Sequence, residues 1–67
     1  MSVAKVSEIS ATSSKSFEDA IQQGLNRASK TLRNVRGAWI KEQHVRCTDG
    51  RVTDYQVNMM VTFILDD

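Results

Sequence analysis

Residues 54–65 read DYQVNMMVTFIL. Tyr55, Val57, Met59, Val61, Phe63 and Leu65 are apolar at strict period two, with Asp54, Gln56, Asn58 and Thr62 interleaved. Successive side chains of a strand point to opposite faces, so the pattern predicts a long strand with one face on a core. Upstream, Asp49-Gly50 separates this run from a second strand-like run. Both central residues of a type I′ turn need positive φ, which makes Asp-Gly a strong hairpin signal. A two-residue loop sets the register by counting back. Thr48 pairs with Arg51, His44 with Tyr55, Gln43 with Gln56, Ile40 with Met59, Trp39 with Met60 and Ala38 with Val61. Ala38 and Ile40 then share the apolar face, and Trp39 and Gln56 fall on the opposite one.

Further upstream, Phe17, Ala20, Ile21, Leu25, Ala28, Leu32 and Val35 recur at helical spacing. They predict an amphipathic helix over 17–34. Ser16 and Asp19 match a capping box at its start, and Asn34 and Gly37 are stop signals at its end. The serine-rich stretch 10–16 reads as a loop, and residues 3–9 (VAKVSEI) as a shorter strand. The order is β1 (3–9), α1 (17–34), β2 (ending at 48) and β3 (from 51). A helical crossover makes β1 and β2 parallel, so β3 between them yields an antiparallel sheet of order 1-3-2. The expected fold is α+β, β1-α-β2-β3, a single domain over 1–67 with one helix on one sheet face. The other face carries Trp39, Met60 and Ile64 beside polar groups, a mixture that marks an interface or ligand surface.

The whole chain has 67 residues, 40% of them hydrophobic and 25% charged, with no proline and one cysteine. A chain of about 60 residues buries only about 60% of its unfolded surface, so oligomerisation is the expected source of further burial. Nine Lys and Arg against eight Asp and Glu give a net charge of +1. That balance offers no general attraction for nucleic acid or an anionic membrane. The lone Cys47 and the absence of a signal-like apolar run near residue 1 point to the cytoplasm.

Catalytic constellations are missing from the sequence. His44 and Cys47 stand three apart on a predicted strand and so face opposite ways, which disfavours a nucleophile pair or a shared metal site. Asp66 and Asp67 read as a solvated tail, or as weak oxygen ligands for a cation at a symmetry axis. Arg27, Lys30 and Arg33 cluster on one side of the helix. Solubility and the helix dipole account for them, and an anion contact for a phosphate-bearing ligand is the sharper alternative. A tryptophan beside an amide, as with Trp39 and Gln56, suits either interface packing or stacking of a flat heteroaromatic ring.

Three stretches bear a family resemblance. Lys5–Ser13 follows K-V-x-E-I-x-x-T-S, Arg27–Arg33 reads R-A-x-K-T-L-R, and Tyr55–Leu65 follows Y-Q-V-x-x-x-V-x-F-x-L. In order, length and spacing the chain resembles the dodecins. The resemblance implies a hollow homododecamer that binds flavin (FMN, riboflavin or FAD) for storage or sequestration, without catalysis. It assigns flavin contact to Gln56, Trp39 and His44, and coenzyme A-type anion contacts to Lys5, Arg27 and Arg33. Two departures accompany it. The family's stacking tryptophan normally stands where this chain has Gly37, so Trp39 keeps the face but shifts the ring by about 6.8 Å. His44 replaces an arginine common near the end of β2. The alternative is a dodecin-type shell with little flavin affinity, structural or binding coenzyme A or a divalent cation.

Overall fold

A computed structural model describes residues 2–65. Asp66 and Asp67, the predicted tail or cation ligands, lie outside the described residues. The elements are β1 (Ala4–Ser13), α1 (Phe17–Thr31), β2 (Val35–Thr48) and β3 (Arg51–Ile64). The sheet is antiparallel in the order β1-β3-β2, as expected. The most apolar strand is therefore central, where both its edges are paired.

The core lies between α1 and β3. Val57, Met59 and Val61 are fully buried beneath Ala20 and Ala28, with Ile9, Ala11 and Leu25 packed around them. Small residues on the helix let it approach closely. A Cβ added at Gly24 would run into the Met59 side chain and stand 3.1 Å from the Ala11 Cβ. Phe17 closes one end, meeting Tyr55 edge-on with ring centroids 5.2 Å apart.

The helix starts where the sequence places it, but with only half of the reciprocal capping box, because the Asp19 carboxylate turns to Ser13 and Gln23 rather than to the Ser16 N–H. Ser16 is extended and its hydroxyl accepts from the Asp19 N–H at 3.0 Å. The Asp19 carboxylate in turn accepts from the buried Ser13 hydroxyl at 2.6 Å. That bond holds the Asp19 carboxyl below its ordinary range; partial burial opposes it, and the Gln23 amide and Lys15 charge assist it. The loop expected over 10–16 shrinks accordingly. Ser10 to Ser13 continue β1 because β3 offers partners as far as Tyr55.

The helix ends three residues earlier than the apolar spacing suggests. Leu32 is already extended (φ −108°, ψ 134°), and Asn34 takes the left-handed conformation (φ 58°) that turns the chain into β2. Val35 therefore belongs to the sheet, opposite Phe63, and Gly37 lies within β2 instead of ending the helix. Arg33 follows the helix, so Arg27, Lys30 and Arg33 do not share a helical face.

The hairpin turn is as predicted, with Asp49 and Gly50 at φ 51° and 76°. Its register is correct at both ends and wrong in the middle. Thr48 pairs with Arg51, and Ile40, Trp39 and Ala38 pair with Met59, Met60 and Val61. Between them His44 faces Gln56, not Tyr55, and Gln43 faces Val57. Lys41 is an extra residue on β2 and Thr53 an extra residue on β3, so the second bulge cancels the first. Hydrophobic matching explains the choice. An unbroken ladder would set Glu42 and His44 against Val57 and Tyr55. The bulged one sets Gln43 and Val45 there and turns Glu42 and His44 to the other face. Arg36 is a third extra residue, near the start of β2.

Length decides how far the core extends. Fifteen helical residues span about 22 Å, whereas a 14-residue strand spans about 48 Å. The longest dimension of the chain is 52 Å. The β2–β3 hairpin therefore overhangs the helix as an arm, and residues 41–53 are all exposed.

Candidate functional site

The sheet face away from α1 is built from alternate residues of three strands. β1 contributes Val6, Glu8, Ser10 and Thr12, and β3 contributes Thr62, Met60, Asn58 and Gln56 opposite them in turn. From β2 come Gly37, Trp39, Glu42 and His44, opposite the same four β3 residues. Within α1 and the sheet, no element covers this face. Trp39 is 67% exposed and Gly37 has open space where a side chain would start.

Polar pairs stitch the strands together. The Lys41 ammonium reaches across β3 to the Glu8 carboxylate at 3.1 Å. Asn58 donates to Glu42 at 3.0 Å, and Gln56 donates to the Ser10 hydroxyl at 2.9 Å. The bond to Ser10 engages the Gln56 NH2 group and leaves its carbonyl oxygen without a donor among the described residues. The surface can thus offer a flat indole, an amide acceptor and an imidazole within one stretch of sheet.

Trp39 and Gln56 lie on the face the sequence assigns them. His44 joins them only because the Lys41 bulge shifts the middle of β2 by one place. The sequence does hold a signal for that shift. Ala38 and Ile40 occupy even positions on the core side, whereas Val45, also apolar, is odd. A change of parity between apolar residues of one strand requires an inserted residue.

The predicted anion contacts do not share one pocket. Arg27 lines an open groove of about 620 Å³ between α1 and the outer edge of β1, with Ser7, Gln23 and Thr31. Arg33 lines a separate depression beyond the helix end with Leu32, Phe63 and Ile64. Lys5 lies opposite Phe63 at the start of β1. Among the described residues no cluster of three His, Cys, Asp or Glu side chains could hold a metal ion. None of the described helices is long and apolar enough to cross a membrane.

A family model for dodecin matches residues 3–66. The chain belongs to the dodecin family. A curated dodecin from Thermus thermophilus is 40% identical over 67 residues, covering 97% of this chain and 94% of its own length. The solved Thermus thermophilus protein tt0972 superposes with a TM-score of 0.93 at 37% identity, covering all of this chain and 98% of the other. Dodecin from Streptomyces davaonensis gives 0.92 at 36% identity, covering 98% and 97%. A calcium-chelating dodecin from Mycobacterium tuberculosis is more distant, with a TM-score of 0.81 at 29% identity and 96% and 91% coverage. As in these dodecins, three antiparallel strands in the order 1-3-2 pack on one helix.

Proposed function

We propose that this dodecin assembles as a closed cytoplasmic homododecamer that binds flavin (FMN, riboflavin or FAD) without turning it over. The observation that carries the reading is the grouping of Trp39, His44 and Gln56 on one uncovered sheet face. A flavin ring supplies what such a face lacks: a flat aromatic surface for the indole, and an N–H flanked by carbonyls for the Gln56 oxygen. The overhanging arm supports assembly. Val45 and Val52 are each at least 41% exposed there, as is Ile40 at its root, and a second copy would cover them.

One experiment tests both parts. Light scattering on the eluted protein should give about 90 kDa, or roughly twelve chains, by closed point-group symmetry. Flavin added to it should lose fluorescence as the ring stacks, and Trp39→Ala should weaken that loss. A 7.5 kDa species overturns the assembly. No quenching at tens of micromolar, roughly a −6 kcal/mol interaction, overturns the flavin reading.

Gly37 favours a second reading, because the resemblance expects the stacking tryptophan at that place. The shell would then hold coenzyme A or a divalent cation, or serve a structural role. Lys5, Arg27 and Arg33 are the anion contacts in that case. The calcium-chelating Mycobacterium relative makes calcium the first cation to try. Calorimetry with calcium and with coenzyme A separates the two readings: heat from either, with none from flavin, favours the second.

A further inference from the structure

The projecting arm leaves more surface in water than a chain of this size ordinarily does. A compact folded monomer of 7.5 kDa exposes about 4,250 Å², whereas this chain exposes 5009 Å². The difference, about 750 Å², is close to the roughly 800 Å² that each partner buries in a stable interface. Part of that surface is an apolar stripe. Val45 pairs with Tyr55 and Cys47 with Val52, and Val45 and Cys47 stand two apart on β2, so all four share the face that α1 covers at the base. The stripe prolongs the core face past the start of α1, where Val45, Cys47 and Val52 are exposed.

A receiving surface lies on the other flank of the molecule. The groove of about 620 Å³ between α1 and β1 is lined by Ile9, Ala11, Ala28 and Leu32, with Gln23 and Thr31 towards its two ends. It follows the outer edge of β1, which has no strand beside it because the sheet order is β1-β3-β2. The outer edge of β2 is open for the same reason, along the whole arm. Open edges of this length are templates for pairing with another chain. An arm laid edge to edge along β1 satisfies both surfaces at once. Its β2 backbone continues the ladder, and its Val45 and Cys47 face turns to the side on which α1 stands, into the groove. Within one chain β3 separates the two edges, so the arm that fills a groove comes from another copy.

Resting on the assembly part of the reading above, we propose that the arm of one copy seats in the α1–β1 groove of the next, as a fourth strand beside β1. The contact is head to tail: every copy gives an arm and receives one, so it runs from copy to copy until the assembly closes.

The test uses the thiol that the arm already carries. Thr31→Cys adds a second thiol in the groove, and Gln23→Cys adds one towards its other end. A short bis-maleimide added to either assembled variant should join copies into a ladder of dimers, trimers and larger species on a denaturing gel. Wild type, with the arm thiol alone, should stay a single chain, and so should each variant once Cys47→Ser removes that thiol. Amide exchange gives an independent readout, since the outward amides of β1 should be protected in the assembled protein. No ladder from either variant, or no protection along β1, in protein that light scattering still finds assembled, overturns the inference and leaves the assembly reading intact. Crosslinked dimers in wild type would mean that arm meets arm and overturn it equally. A single chain on light scattering overturns the assembly reading and the inference with it.

Discussion

The same two strands, β2 and β3, make up both the base of the sheet and its projecting arm. At the base, Val57, Met59 and Val61 lie under the small residues of α1 and are wholly buried. In the arm, residues 41–53 are exposed on both faces although their backbone ladder is just as long. Strand pairing therefore does not by itself bury side chains. A two-stranded ribbon without a third layer is marginal in water, and here the third layer stops after about 22 Å of helix. The base has a packed core, and the arm carries apolar side chains, Val45 and Val52 among them, that nothing among the described residues covers.

The strongest challenge to this contrast is a pair of substitutions, one in each region. Met59→Ala should cost about 2–5 kcal/mol in thermal or denaturant unfolding, because it leaves a cavity beneath Gly24. Val45→Ala should cost more than about 1 kcal/mol only if another copy covers the arm, and less than about 0.5 kcal/mol if the arm stays bare. Measured at one protomer concentration, the two values weigh the base against the arm directly.

A smaller effect belongs to the base alone. Ser16→Ala removes the hydroxyl that accepts from the Asp19 N–H and should cost about 1 kcal/mol of stability. Assembly size on light scattering should not change, since the lost bond is internal to the helix start, although that start sits at the root of the arm, with Phe17 against Tyr55. A change in size would mean that the two regions are coupled through α1.

The smallest effect is a pH dependence. Asp19 has a depressed carboxyl pKa in the folded chain, chiefly through Ser13. A depressed folded value contributes stability above the unfolded pKa, near 4 for a free aspartate, and loses it as pH falls through the folded value. Melting temperature should accordingly fall below about pH 4, and Asp19→Asn should flatten that part of the profile. An unchanged slope in the variant would assign the acid sensitivity to other carboxylates.

Much of the fold is legible because burial imprints a period on the chain. The alternation from Tyr55 to Phe63 survives, since one face of β3 touches α1 along its inner half, whereas Leu65 lies past the end of β3 and is 43% exposed. The helix start is equally plain, as Ser16 and Asp19 act over three residues. Harder to read is any boundary set by a distant partner. Ser10 to Ser13 look like loop residues, and only the length of β3 makes them strand. Val35 fits the helical stripe, yet the left-handed Asn34 ends that stripe before it. Of the site residues, Trp39 and Gln56 were placed by parity. His44 was not, because a count from the turn assumes an unbroken ladder, and the extra residue Thr53 breaks it between the turn and His44.

Those two breaks behave like a pair of opposite dislocations in a crystal lattice. Lys41 adds a half-row on one strand and Thr53 adds one on the other, so the ladder beyond each end is undisturbed. Opposite dislocations can meet and annihilate. Here annihilation would leave the turn and the base untouched and turn Glu42, His44 and Arg46 through to the core side. What keeps the pair apart is the chemistry of a handful of side chains between them, Val45 beside Tyr55 above all. The identity of the residues exposed on this face is thus a property of where two defects are pinned.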